Sequence, residues 1–148
     1  MADRYFNPFQ AIDINVPVEL HEAFNQYCHR NVNSIIDQSP FPRMIDFWFL
    51  SLCVAVLFGL EPVEVGKNTT KIIDGTIFSS DPWRVHILML IAIGKTGNVQ
   101  IVAEPRKMMT IASGLAVAGI PRVIEMLKDG SAEPIWNLSE SIDQLLRK

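Results

Sequence analysis

The sequence has few of the groups that usually carry chemistry. In 148 residues there are two cysteines, Cys28 and Cys53, and three histidines, His21, His29 and His86. Two cysteines make no disulfide framework, which fits a reducing compartment and an expected cytoplasmic protein. Cys53 lies inside an apolar run, where a buried free thiol is common. There is no CxxC and no HxxxH pair. His21, Cys28 and His29 share one predicted helix, but a zinc site needs three or four ligands at tight spacing. We therefore expect no metal there, only a packed thiol and surface histidines. No GxSxG and no cysteine elbow stands near His86 in "DPWRVHILML", so that imidazole has no evident nucleophile to serve as base. "GKTGN" at 94–98 lacks the leading glycine of a phosphate loop, because Met89 stands where it should be. Its glycines end a helix rather than begin one, so a helix stop and turn explain them. These gaps lead us to expect a chain that is not an enzyme and holds no cofactor.

Long apolar spans are also missing. "MIDFWFLSLCVAVLFGL" (44–60) has an uncharged stretch of only 14 residues, Phe47 to Leu60, closed by Asp46 on one side and Glu61 on the other. A spanning helix needs about 20 apolar residues, and runs of this length are more often core helices. "VHILMLIAIG" is shorter still, and "MMTIASGLAVAGIP" is interrupted by Gly119 and Pro121. The opening "MADRYFNPFQ" has no apolar signal core, which speaks against secretion. A membrane role is not expected.

What the chain does have is an excess of apolar side chains: 49% hydrophobic against 20% charged. A body this small has limited interior, so part of that surface is expected to be buried between subunits. The 44–60 helix is apolar nearly all round and must be surrounded, by its own chain or by another copy. Trp48 and Phe49 on it are candidate interface residues. So are Gly114 and Ala118, which lie in a stretch of small residues that would let another helix approach closely. Asp46 at the start of the apolar run would mark a site if buried, but pairing with Arg43 three residues earlier is the simpler role.

Charge is unevenly spread. Residues 1–64 carry a net −5, residues 65–124 a net +4, and residues 125–148 a net −2. The candidate DNA or anion contacts are Arg43, Lys67, Lys71, Arg84, Lys95, Arg106, Lys107 and Arg122. A solvated surface explains them as well, because no recognition-helix or base-stacking motif accompanies them.

The pattern predicts a single, mainly α domain over 1–148 with an irregular segment at 1–11. A short strand at 12–16 alternates Ile12, Ile14 and Val16 with polar residues. Helices follow at 17–30 and 43–59. Strand-like pieces at 63–65, 71–73 and 76–78, with a tight-turn signal at Asp74-Gly75, predict a small hairpin or an ordered loop. Further helices start at Pro82 and stop at Gly94, run over 105–118, run from Pro121 to Lys128, and start at Asn137, giving six in all. Asn137 and Glu140 have capping-box spacing, and basic Arg147-Lys148 suit a helix end.

"IDINVPVELHEAF" resembles the start of a ribbon-helix-helix repressor, with an alternating strand, a proline and an amphipathic helix. That resemblance implies a DNA-binding dimer. The order strand, helix, Pro-containing loop, apolar helix ("PFPRMIDFWFLSLCVAVLFGL"), then "DGTIF" before two further helices resembles DndE, the small subunit of bacterial DNA phosphorothioation systems. That resemblance implies a compact helical homo-oligomer without catalytic residues, working beside larger protein partners in DNA modification or defence. A third expectation is a small-molecule or lipid site between the apolar helices, with Asp46, Arg84 and His86 as its polar groups.

Overall fold

The computed structural model describes residues 6–30 and 33–147. The start of the expected irregular segment (1–5), Asn31 and Val32 of the Pro-containing loop, and Lys148 lie outside them. The fold is mainly α: among the described residues there are five α-helices, three 3-10 turns and one two-stranded antiparallel sheet. In order these are β1 (Ile14–Pro17), α1 (His21–Tyr27), α2 (Met44–Leu57), β2 (Thr69–Ile73), α3 (Pro82–Thr96), α4 (Pro105–Lys128) and α5 (Pro134–Leu146).

α4 is the axis. The sequence predicts two helices, broken at Gly119 and Pro121, yet α4 runs unbroken through both. Pro121 withholds one backbone donor, but packing on both sides holds the helix together. α2 lies directly on it. A Cβ at Gly119 would fall onto the backbone oxygen of Ser51 in α2, so glycine sets how closely the two helices approach. Ser51 itself is buried, and its hydroxyl donates back to the Phe47 carbonyl. Among the described residues one helix, α4, is long and apolar enough to cross a membrane, and more than half of its apolar window is packed inside the chain.

α2 starts where Asp46 accepts the backbone N–H of Arg43, three residues back. It stops at Gly59, whose φ of 65° is costly for any residue with a Cβ. Most of its first three turns is buried: Phe47 meets Phe24, Phe41 and Tyr27 in one aromatic cluster, while Leu50 and Cys53 lie on the more open side. The last turn emerges into solvent, where Val56, Leu57 and Phe58 are exposed. Cys53, expected to be buried, is exposed as well, and Cys28 is the buried thiol.

The predicted hairpin does not form. Residues 75–79 make a 3-10 turn, with the Asp74 carboxylate accepting from Thr76 N–H. β2 pairs instead with β1, far back in the chain, with Asn15 opposite Lys71 and Pro17 opposite Thr69. Pro17, which has no N–H to donate, sits at the strand end, where the loss is tolerated. α1 accordingly begins at His21, after a 3-10 turn over Val18–Leu20. Between α2 and β2 an irregular strap lies across α4, tied by Val63 N–H to the Gly114 carbonyl. α3 continues past Gly94 to Thr96 and ends at Gly97, whose φ is 68°.

Helix α5 begins at Pro134, not at Asn137. Asn137 lies inside the helix, buried, with its amide donating to the Leu127 and Ala132 carbonyls and accepting from Ala132 N–H.

Candidate functional site

Two of the eight candidate anion contacts belong to an internal ionic cluster at the start of α2 and α3. Arg84 is buried. Its guanidinium bonds Asp46 at 2.8 Å and Asp81 at 3.2 Å. It packs against both the Phe49 and Trp83 rings, with Cζ at 4.7 Å and 4.4 Å from their centroids, beside the edge-to-face contact the two rings make with each other. Arg43 closes the cluster on Asp46 and Asp81. These two arginines neutralise carboxylates within the chain. The expected convergence of Asp46, Arg84 and His86 does not occur, because His86 is exposed on α3 while the other two bond each other.

Three more of the cations have carboxylate partners. Lys71 meets Asp13 and Asp74, Lys95 meets Glu61, and Lys107 meets Glu104. The backbone N–H of Thr76 and the ammonium of Lys71 hold Asp74 below the ordinary carboxylate range, and both acids raise Lys71. Arg122 lies over the Phe58 ring at 5.2 Å. Lys67 and Arg106 have no carboxylate partner among the described residues. The basic segment is thus divided into local pairs, and β1 carries Asn15, with Asp13 just before it, rather than cations.

The candidate interface residues also divide. Trp48, Phe49 and Gly114 are buried within their own chain, so they serve its core and are not surface contacts. A Cβ at Gly114 would come within 2.6 Å of the Val63 backbone oxygen, because the strap already occupies that close-packing surface. Ala118 is half-buried.

The exposed apolar surface lies elsewhere. α2 and α3 run in the same general direction and are joined at their ends by side chains rather than packed along their length. Arg84–Asp46 and Phe49–Trp83 tie their starts, and Lys95 bonded to the Leu60 carbonyl ties their ends. Along α2, Leu50, Cys53 and Leu57 fall on one stripe; along α3, Trp83, Ile87, Leu90 and Gly94 do so. Leu57 is 61% exposed, Leu90 67% and Trp83 50%. Acids, lysines and arginines are confined to the two ends, at the Arg43–Asp81 cluster and at Lys95–Glu61, and exposed His86 borders the α3 stripe between Trp83 and Leu90. The sequence signal for this face was the all-round apolarity of α2, but which turns emerge depends on packing against α4.

A second feature is a groove of about 540 Å³ between β1, the strap and the first half of α4, lined in part by Ile12, Asn15, Val63, Lys67, Arg106 and Ser113. Nothing in the sequence pattern singles out Ser113 as part of a site. Among the described residues no three His, Cys, Asp or Glu side chains converge to hold a metal ion. A scan against protein-family models, a search of curated proteins and a search of solved structures each find no match to this chain.

Proposed function

We propose that the chain is a non-catalytic, self-associating interaction subunit of the bacterial cytoplasm. The observation that supports this reading is the uncharged apolar face shared by α2 and α3. Contiguous exposed apolar surface rimmed by charge is the usual anatomy of a protein–protein interface. Burying the remaining surface of Leu57 and Leu90 would contribute about 1–2 kcal/mol each. A two-fold arrangement would set the α2 stripe of one copy against the α3 stripe of the next, so one patch serves both partners. The likeness in element order to DndE suggests a bacterial DNA-modification or defence complex as the larger assembly, with other protein subunits as partners. DNA contact by this chain itself is the weaker part of the reading, since five of its eight candidate cations are neutralised by acids.

Sedimentation velocity over roughly 1–200 µM tests the proposal, a range spanning ordinary interface affinities. The expected result is a concentration-dependent oligomer that Leu57→Glu with Leu90→Glu returns to a monomer with unchanged circular dichroism. A wild-type chain that stays monomeric throughout would overturn self-association.

A further inference from the structure

We propose that the groove between β1, the strap and α4 binds a small organic carboxylate with an apolar body. This does not depend on the α2–α3 face, which lies on different residues. Ile12, Val63, Val65 and Met109 are the apolar residues of its lining. Its rim carries Lys67 and Arg106, the two cations of the lining that no carboxylate engages. The lining's formal charges balance, Lys67 and Arg106 against Asp13 and Glu64, but Asp13 is engaged by Lys71 at 3.4 Å, while among the described residues no carboxylate pairs with Lys67 or Arg106. A guanidinium on the rim adds a planar, two-pronged donor matched to a carboxylate.

Ser113 supplies the second, independent observation. Helical hydroxyls normally bond back to the carbonyl one turn earlier. In this chain Ser51, Thr96, Thr110 and Ser139 do so, while Ser113 and the more open Ser141 do not. Ser113 is only 9% exposed, yet it makes no hydrogen bond with another described residue, and it lines the groove. Its hydroxyl oxygen keeps access to solvent in the groove, so a bound carboxylate can take the place of water there. The groove exists because Gly114, the next residue, lets the strap lie against α4 through the Val63 N–H bond. A cavity of several hundred Å³, mostly apolar with a few convergent polar groups, is the usual form of a small-molecule site.

Octanoate is the probe, titrated into the full chain and followed through the methyl resonances of Ile12, Val63, Val65 and Met109. The expected result is saturable shifts at those methyls. Arg106→Gln and Lys67→Gln should each weaken binding by about tenfold, the loss of one charge-assisted hydrogen bond. Ser113→Ala should weaken it a few-fold, and alanine keeps the helix. Octanol, which lacks the charge, and acetate, which lacks the body, should each bind at least about tenfold more weakly. Any of four results would overturn the proposal: no saturable shift at millimolar octanoate, shifts centred on Leu57 and Leu90 instead, an affinity indifferent to Arg106→Gln, or inorganic phosphate binding as tightly as octanoate.

Discussion

A single side-chain amide joins α4 to α5. Asn137 holds the Leu127 carbonyl at the end of α4 and both backbone groups of Ala132 in the turn. Asn137→Ala leaves these three groups short of a partner, and its expected cost is about 2–3 kcal/mol. A fall in the urea midpoint at constant m would register it; a midpoint unchanged within error would mean that water replaces the amide at no cost. At this scale the sequence is legible where partners are near in the chain. Arg43 and Asp46, three apart, pair as their spacing suggests. The larger ionic cluster was not legible, because Arg84 reaches Asp46 across 38 positions. Asn137 has the composition of a helix cap, but Pro134 starts the helix one turn earlier, so a residue suited to a cap becomes a buried clasp.

Among the elements, the α2–α4 crossing bears most directly on stability. Gly119→Ala places a methyl on the Ser51 backbone oxygen. Only movement of a whole helix could relieve that clash, so a loss of at least about 2 kcal/mol is expected. Gly94→Ala is the matched control: nothing lies within 4 Å of its Cβ position, and it sits inside exposed α3. There alanine should stabilise by about 0.5–1 kcal/mol through propensity alone. Thermal melts of the two variants should therefore move in opposite directions. The same crossing explains why six helices were expected and five are found. Gly119 and Pro121 carry the local chemistry of a helix end, but tertiary contact with α2 requires the small residue and holds the helix through the proline. β2 shows the opposite limit. Asp74-Gly75 predicts a local hairpin, yet Ile73 pairs with Ile14, a choice set by long-range burial that no short window contains.

For the whole molecule, the two thiols report whether the α2–α3 face closes. Burial, with the nearby Asp46 charge, pushes the Cys28 thiol up to about 12, so it stays protonated and inert near pH 8. Cys53 is also raised above its ordinary value of 9.0, chiefly by burial and against the pull of Arg84, but it is open to solvent on the α2 stripe. Iodoacetamide at pH 8 should then modify one cysteine per native chain, and faster as pH rises toward the Cys53 pKa because the thiolate is the nucleophile. If copies associate through α2 and α3, the rate at Cys53 must fall as protein concentration passes the dissociation constant, since the partner covers it. Leu57→Glu with Leu90→Glu should abolish that concentration dependence while leaving the dilute rate intact. A rate constant at all concentrations, alongside a sedimenting dimer, would mean that association uses another surface and that this face awaits a different protein.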